Sequence, residues 1–400
     1  QIIMANVSSS NGLEKRPKLA FRRADGSSFP SWSRTSLSSI IEPYSEKVYG
    51  EHKYEVLTSS REGLQRQVDH FGSEQRHDTD GYNVIPFGYC TYRNRSDDGR
   101  FAFNINTISS NAIVSKFYPV FRFTNANSLF MSEFLNSSSR AKKKLSVLAV
   151  GTSQVVLSFE ALKAADFDLP CKDEQDKIAS FFECLNRRIE YQRTLVDALK
   201  KYKRGVLSVA FGKYGSICSW QTTPYPFAEL ASRRSEKYDP RSGEQMPCVE
   251  LEHIEQETGR IIGSIPSTQQ NSIKGVCKSG DTLFGKLRPY LRKYAFVKKD
   301  MVCSSEIWSL VPSETIIPEY LFYLVQTDEF IKIANISSGT KMPRAEWSNI
   351  EKSVFSVPNK EVQAQIVQTL RGLDSRMLDA IDMLGELQLM KEGLLQQLFI

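Results

Sequence analysis

The sequence predicts an α+β fold that is written twice along the chain. The segment from Pro170 to Phe211 aligns without a gap with the segment from Pro358 to Phe399, at an offset of 188 residues. Gln175 matches Gln363 in this alignment, and each segment follows a longer region of very different composition. A repeat of this kind decides the architecture, because each copy is expected to fold as one unit. The sequence therefore predicts two α/β domains, each followed by a long conserved segment.

The conserved segments are predicted to be long helices, at residues 171–212 and 359–400. Apolar residues recur at alternating intervals of four and three along both, which is typical of a coiled-coil seam. A proline precedes each segment, and proline suits the entry to a helix. A helix of this length is not stable alone, so we expect each seam to pair with the other. The residues predicted to pair the helices are Ile178, Phe182, Leu185, Ile189, Val196, Leu199, Ile366, Leu370, Leu373, Met377, Leu384 and Leu387.

Both seams carry a lysine at the same position, Lys203 and Lys391. Two interpretations stay open at this point. A polar seam residue can fix the register of paired helices. Alternatively, a lysine can extend its charged end to water near a frayed helix end.

The regions before the helices, residues 14–170 and 213–358, are predicted to be mixed domains with many loops. Short runs rich in β-branched and aromatic residues, such as YEVLTSS and SEIWSLV, alternate with Gly, Asn, Asp and Pro. In the second domain, GDTLFGKL is predicted to be a strand, and the chain beyond Pro289 is predicted to continue as a strand. Residues 1–13 are predicted to form a disordered tail.

Composition excludes several classes of protein. No apolar run approaches the roughly 18–20 residues that a membrane span needs, so no membrane partner is expected. The seven cysteines are odd in number, and none are spaced as CxxC, which argues against a zinc site or a disulfide framework. Reduced thiols fit a cytoplasmic protein. We predict no metal site.

One stretch approaches a phosphate-binding loop. Gly280, Gly285 and Lys286 fit its spacing, but Leu287 stands where the magnesium-binding hydroxyl is required, and Pro289 follows at once. A glycine in a turn or bulge of a sheet explains the pattern better. We predict no catalytic residues and no cofactor in this chain. The alternatives are a stand-alone DNA-acting or nucleotide-hydrolysing enzyme and a coiled-coil adaptor that binds only proteins.

Positive charge is clustered, although the net charge is only +6. The clusters are RAKKK at 140–144, KKYKR at 200–204 and the basic residues from Lys286 to Lys299. Such clusters suit a polyanion, because phosphate neutralisation releases counterions. Two domains of unequal sequence joined by paired helices then suggest two different half-sites on one DNA duplex.

The chain resembles the specificity subunit of type I restriction–modification systems over nearly its whole length. The likeness lies in the order variable, conserved, variable, conserved, and in Pro-x-x-x-x-Gln-x-x-Ile at the start of each helical segment. It also lies in LFGKLRPYLRKYAFV and CSSEIWSLVP of the second domain, and in the Gly-Thr pairs at 151–152 and 339–340.

The resemblance implies that each variable region is a target-recognition domain, reading one half of a bipartite target. It implies that the two long helices pack antiparallel as a coiled-coil spacer, in a pseudo-twofold tandem repeat. The implied partners are double-stranded DNA, two modification (methyltransferase) subunits and restriction (motor–nuclease) subunits. S-adenosylmethionine, ATP and Mg²⁺ are then expected in the partner subunits, and the complex is expected in the cytoplasm at the nucleoid. This chain would itself catalyse nothing.

Basic and polar side chains near loops and strand ends are the candidates for DNA contact. For Arg288 and Arg292, a salt bridge across the sheet is the alternative. The residues predicted to contact DNA are Arg93, Arg95, Lys142, Lys143, Lys144, Ser153, Gln154, Lys286, Arg288, Arg292, Lys293, Lys341 and Arg344.

Overall fold

The chain forms two compact units in a computed structural model. The first unit comprises residues 1–190 and 385–400, and the second comprises residues 191–384. Each unit therefore holds one of the predicted variable domains together with parts of both long helices. The described residues are 2–4, 19–73, 78–212, 220–242, 245–336 and 342–399.

The described residues of the first unit form fourteen strands. They are β1 (Ile2–Met4), β2 (Leu19–Phe21), β3 (Ser33–Ser36), β4 (Ile41–Tyr44), β5 (Glu55–Ser60), β6 (Gly63–Arg66), β7 (Asn83–Val84), β8 (Cys90–Tyr92), β9 (Arg95–Ser96), β10 (Phe103–Ile105), β11 (Ala112–Val114), β12 (Val120–Phe123), β13 (Val155–Val156) and β14 (Asp166–Leu169). One four-stranded sheet has the order β10-β8-β12-β4, and another has the order β6-β5-β11-β7. Of the predicted disordered tail, only β1 is described, and it pairs with β2.

The helices of the first unit are short until the long one begins. They are α1 (Gln67–Phe71), α2 (Ser128–Ser137), α3 (Ser139–Leu148), α4 (Phe159–Lys163) and α5 (Lys172–Phe211). The Ser138 hydroxyl accepts a hydrogen bond from the backbone N–H of Ala141, which starts α3 directly after α2. Residues 172–190 of α5 belong to the first unit, and residues 191–211 belong to the second.

The second unit repeats this construction. Its strands are β15 (Thr222–Pro226), β16 (Ala231–Arg233), β17 (Lys237–Tyr238), β18 (Pro247–Val249), β19 (Ile265–Pro266), β20 (Lys274–Cys277), β21 (Thr282–Gly285), β22 (Tyr294–Phe296), β23 (Met301–Cys303), β24 (Ile307–Pro312) and β25 (Val354–Pro358). Its helices are α6 (Phe227–Leu230), α7 (Pro318–Leu324), α8 (Asp328–Ala334), α9 (Trp347–Ile350) and α10 (Lys360–Leu398).

The duplication extends to the order of the strands. The sheet β22-β21-β24-β16 of the second unit corresponds to β10-β8-β12-β4 of the first. The other sheet of each unit contains one parallel pair, β5 with β11 and β18 with β23. In both units the two strands of this parallel pair are about 50 to 60 residues apart in sequence. The duplication therefore includes the sheets of the two units as well as the long helices.

The sheet β22-β21-β24-β16 of the second unit shares one hydrophobic core with the helices of that unit. Phe227, Phe284 and Phe330 are fully buried, and the ring of Phe330 contacts the rings of the other two. Leu207 of α5 and Leu370 of α10 belong to the same buried cluster. This continuous packing holds the sheet firmly to the helical segments, since a close-packed interior does not deform easily.

Helices α5 and α10 pack together and are antiparallel. In the second unit, the Gln192 side-chain amide donates to the carbonyl of Ala380, while Lys203 lies 2.6 Å from a carboxylate oxygen of Asp374. Positions therefore rise along α5 as they fall along α10. Of the predicted pairing residues, the buried ones are Ile178, Phe182, Leu185, Ile189, Val196, Ile366, Leu370 and Met377. The half-buried ones are Leu199, Leu373, Leu384 and Leu387.

Both seam lysines are paired with a carboxylate rather than extended into water. Lys203 is buried, and Asp374 also accepts a hydrogen bond from the Tyr323 hydroxyl at 2.9 Å. In the first unit, Lys391 donates to Glu133 at 2.9 Å, and Glu133 accepts from the Asn186 amide at 3.3 Å. Lys203 therefore joins α5 to α10, as the first interpretation of the lysines requires, whereas Lys391 joins α10 to α2.

A buried carboxylate at the start of α5 makes the stability of the first unit depend on pH. Glu174 is 5% exposed, and burial raises its pKa from 4.5 to about 7, although a hydrogen bond with Trp32 opposes the shift. Between these two values the folded chain binds more protons than the unfolded chain, so stability falls as pH rises through this interval. Above pH 7 the full cost of burying the charge is present.

We expect Glu174→Gln to stabilise the protein above pH 7 by about 1–2 kcal/mol, after allowance for solvent screening, and to change stability little at pH 4.5. The measurement is the free energy of unfolding in urea at pH 4.5 and pH 8. Asp173→Asn removes the same charge from the same helical turn, but at an exposed position, and serves as the control. Equal pH dependence in the wild type and the Glu174 variant would contradict the prediction.

Across the described residues, no helix combines the length and apolar character that a membrane span requires.

Candidate nucleic-acid interface

In each unit, two loops that are distant in sequence lie side by side. In the first unit, β9 pairs with β13, which joins the loop after β8 to the segment after Gly151. In the second unit, Leu287 and Arg344 form the corresponding β-bridge. The sequence placed most of the candidate DNA contacts on these loops but could not show that the loops are neighbours. Together they form one surface in each unit, which we call the paired loops.

The paired loops of the first unit carry a cluster of arginines. Arg93 and Arg95 are exposed, and with Arg61 and Arg100 they line a small cavity of about 100 Å³. The Arg95 guanidinium lies over the ring of Phe117, at 5.3 Å from its centre. Arg61 and Arg100 could not be identified from the sequence, because only the fold brings them close to Arg93 and Arg95.

The polar candidates after Gly151 lie at the same place. Ser153 and Gln154 are exposed, and the Gln154 amide donates to Asp97 at 3.1 Å. The hydrogen bond between Gln154 and Asp97 joins the two loops, while Ser153 and Gln154 stay exposed to solvent. Asp98 is also held here, because it accepts hydrogen bonds from the Ser96 hydroxyl and the Arg61 guanidinium. Both hydrogen bonds lower the pKa of Asp98.

The three candidate lysines of α3 differ in their surroundings. Lys144 donates to the carbonyl of Asp166 at 2.8 Å and lies over the Phe167 ring, so its charge is used within the unit. Lys142 and Lys143 are exposed and have no side-chain partner among the described residues. A side chain at Gly99 would lie 2.9 Å from Ser146 of α3, which shows how closely this helix packs against the arginine-bearing loop.

The stretch that resembled a phosphate-binding loop is the corresponding loop of the second unit. Gly285 ends β21, where a Cβ atom would lie 2.8 Å from Leu251 and 3.2 Å from the carbonyl of Lys293, so no side chain fits. The prediction that a strand continues past Pro289 was wrong. Pro289–Leu291 form a single turn of 3₁₀ helix, and β22 begins only at Tyr294.

Two arginines flank that turn in an unusual conformation. Arg288 and Arg292 both have a positive φ, 52° and 51°, in the left-handed region that costs energy for residues other than glycine. Strain of this kind persists only where surrounding contacts hold it. Here the backbone N–H of Arg288 donates to Pro343, and Glu257 donates to the carbonyl of Arg292. These bonds hold the backbone from which the two arginine side chains project.

The basic side chains of this loop divide into supporting and free ones. Arg292 donates to Asp328 and to the carbonyl of Gln326, and Lys293 donates to the carbonyl of Leu251 at 2.6 Å. Arg344 pairs with Glu306 at 3.1 Å. For Arg292 the ion-pair alternative is thus what the structure shows, and its contact with DNA stays a prediction, as do those of Lys293 and Arg344.

Arg288 is the free member of the group. It is exposed and has no side-chain partner among the described residues, so the structure does not show the salt bridge considered for it. Lys286 is half-buried and lines a cleft beside the loop, and its backbone is fixed by hydrogen bonds to Glu306 and Ala345. Lys341 lies outside the described residues.

The cleft beside the paired loops of the second unit has a volume of about 630 Å³. Its lining is basic, aromatic and rich in hydroxyls, and includes Arg233, Lys286, Ser304, Ser305, Trp308 and Trp347. Arg233 and the two tryptophans were not among the residues predicted to contact DNA. Nothing in the sequence joins Arg233 to Trp347, because 114 residues separate them.

The acidic residues of this unit have structural partners. Asp281 is buried and accepts two hydrogen bonds at 2.7 Å from Arg234, together with one from the Ser309 hydroxyl. Glu306 pairs with Arg344, and Asp300 accepts from the backbone of Ser279. Within the described ranges, no group of three or more His, Cys, Asp or Glu side chains could hold a metal ion.

These features define a class of protein: a tandem α+β chain whose two units present basic paired loops at the same place on one repeated topology. The chain belongs to the family of type I restriction–modification DNA specificity domains, whose model matches residues 42–201 and again residues 231–382.

Similar proteins agree with this assignment. Over 134 residues the chain is 31% identical to the specificity subunit of the type I restriction enzyme HindI of Haemophilus influenzae, a match that covers 32% of this chain and 28% of that subunit. The chain thus spans well under a third of the length of that curated relative. The crystal structure of a type I restriction–modification S subunit from M. genitalium matches 96% of this chain and 99% of its own, with a TM-score of 0.57 and 15% identity.

A second solved structure, which concerns complex assembly and conformational transition of the type I restriction–modification system, covers 92% of this chain and 98% of its own. Its TM-score is 0.53 and its identity is 14%. At these identities the two structures establish a shared fold.

Proposed function

We propose that this chain is the DNA sequence-recognition subunit of a type I restriction–modification complex, and that each unit reads one half of a bipartite duplex target. One observation supports this most strongly. The two units have the same strand order, yet the paired loops at the corresponding place carry different side chains. A shared scaffold with different loops is what two readers of different sequences require, because base contacts specify the sequence while phosphate contacts set the position.

The charge of the loops supports duplex DNA as the partner. Exposed arginines and lysines with no side-chain partner in the described part of the chain, such as Arg93, Lys142 and Arg288, are free to neutralise phosphates. Polar side chains such as Gln154 can contact base edges in the major groove. These residues are the DNA contacts that we propose first.

The long helices are proposed to set the gap between the half-sites and to dock two modification subunits. Restriction subunits then complete the complex, and S-adenosylmethionine, ATP and Mg²⁺ act in those partners. In this proposal the chain performs no chemistry of its own, and the target adenine is taken out of the stack by a partner. Continuous α5 and α10, each with a closely packed seam, suit a spacer of fixed length.

The test is a map of adenine methylation in host DNA with and without the gene. We expect deletion to erase methylation at one split motif with a gap of fixed length. Unchanged methylation at every such motif would refute the proposal. Turnover of ATP or cleavage of DNA by the purified chain alone would favour a stand-alone enzyme instead.

A domain exchange tests the division of labour between the units. Replacing residues 14–170 by those of a relative with a different first domain is expected to change one half of the motif and to leave the other half and the gap intact. A change in both halves would contradict the assignment of one half-site to each unit.

A further inference from the structure

Arg233 is held between two tryptophans at the mouth of the cleft in the second unit. Its guanidinium carbon lies 4.9 Å from the centre of the Trp347 ring and 5.8 Å from that of Trp308. The two indole rings are themselves in edge-to-face contact, 5.6 Å apart at 85°. Such stacking restricts the guanidinium plane while leaving its N–H groups, which lie in that plane, free to donate.

The charge of Arg233 is not neutralised within the unit. The side chain is exposed and forms no hydrogen bond or ion pair with any residue the structure describes. The neighbouring Arg234, by contrast, is bound on both arms to the buried carboxylate of Asp281. One arginine of the pair therefore supports the sheet, and the other presents its donors to the cleft.

The cleft around Arg233 is suited to the edge of a nucleic acid. Lys286 contributes a second positive charge, and the hydroxyl of Ser305 can donate or accept. The walls join at the paired loops, which carry the free Arg288. The chemistry that fits is a polyanion with planar, acceptor-bearing groups, which describes the major groove of DNA.

Among the described residues of the first unit, no arginine stands at the position that corresponds to Arg233 in the sheet. Arg233 pairs with Leu310 across the sheet β22-β21-β24-β16, and the same ladder position in β10-β8-β12-β4 is Pro43 opposite Phe121. Leu310 of β24 thus corresponds to Phe121 of β12. Trp308 lies two residues before Leu310, so its counterpart is Pro119, two residues before Phe121. The stacked arginine is therefore particular to the second unit, as expected of a residue that distinguishes one half-site from the other and not of one that the shared fold requires.

We propose that Arg233 reads a guanine in the half-site bound by the second unit, through paired hydrogen bonds to the O6 and N7 acceptors in the major groove. This inference rests on the proposed function. An arginine fork matches these two acceptors, and this is the commonest specific contact between a side chain and a base. The two tryptophans act as positioning residues, because they hold the fork before DNA arrives and so reduce the entropy lost on binding.

The experiment maps the methylation motif produced by the complete complex carrying Arg233→Lys or Arg233→Gln. We expect both variants to relax one guanine position of a single half-site, by about ten- to hundredfold in discrimination, with the other half and the gap unchanged. Lysine keeps the charge but lacks the fork, so a contact to phosphate alone would be preserved by Arg233→Lys. Arg241→Gln removes an exposed arginine of the same unit outside the cleft and should leave the motif as it is.

Three outcomes would overturn the inference. The first is that the half-site read by the second unit, which exchange of residues 14–170 leaves unchanged, contains no guanine. The motif could stay unchanged in both Arg233 variants. If methylation is too weak to map, binding of the purified complexes is measured on four duplexes that differ only in the base at the guanine position. The third contrary outcome is that the Arg233 variants bind all four duplexes more weakly than the wild type by the same factor. Each of these leaves the proposed function intact, because that function fails only if no bipartite motif depends on the gene.

Discussion

Asp374→Ala is expected to destabilise the second unit by about 3–5 kcal/mol, since it leaves the buried ammonium of Lys203 without its counter-charge. The two groups are 2.6 Å apart, with side-chain exposures of 5% for Lys203 and 14% for Asp374. The Tyr323 hydroxyl, which donates to the same carboxylate, loses its acceptor as well. The measurement is the free energy of unfolding in urea of the variant and the wild type.

The matched control is the double variant Lys203→Met with Asp374→Leu. Replacing both members of a buried ion pair by apolar side chains of similar size is often neutral for stability, so most of the loss should be recovered. If the double variant is as unstable as the single one, the pair is not the cause. A stable double variant that assembles but methylates with a changed gap would indicate that the pair fixes the register of the helices.

The same pair has a pH dependence with a defined sign. Burial lowers the pKa of Lys203 below its ordinary value of 10.5, and the negative charge of Asp374 opposes this shift. Between the folded value and 10.5 the folded chain binds fewer protons than the unfolded chain, so Lys203 makes stability rise with pH across that interval. Lys203→Met should remove this rise.

The second large effect concerns DNA. We expect Lys286→Ala combined with Arg288→Ala to weaken binding of the assembled complex to its target by about 3 kcal/mol, or on the order of a hundredfold, if each side chain forms one charge-assisted hydrogen bond to phosphate. Two lost phosphate contacts should also reduce the slope of log K against log salt by about 2. The measurement is a binding titration on the mapped target at several salt concentrations.

Lys298→Ala combined with Lys299→Ala is the control for charge. These lysines are exposed, and the Ser279 hydroxyl donates to the carbonyl of Lys298, which places them beyond the opposite end of the β21–β22 pair from the loop. The control removes the same charge and should change the slope little. Equal losses in the two double variants would show that net charge, and not these two positions, governs binding.

The sequence by itself determined the duplication, the two long helices and the family. These features are local or periodic: the seam repeats every three or four residues, and the conserved segments align without a gap at one offset. Hydrophobic periodicity is a physical requirement of a helix that buries one face, so it can be recognised without knowing the partner. The clustering of basic residues likewise pointed to a polyanion.

Only the tertiary structure decided which basic residues are free. Arg292 is bound to Asp328 and Arg344 to Glu306, over separations of 36 and 38 residues, while the Arg288 side chain has no partner among the residues that the structure describes. The prediction of a strand past Pro289 was wrong for a related reason: contacts from Glu257 and Pro343 hold two arginines in a left-handed conformation that local propensity disfavours. Arg233 became a candidate only when the sheet brought it to Trp308 and Trp347. Charge and periodicity are written along the chain, but the partner that neutralises or stacks a side chain is chosen by packing between distant segments.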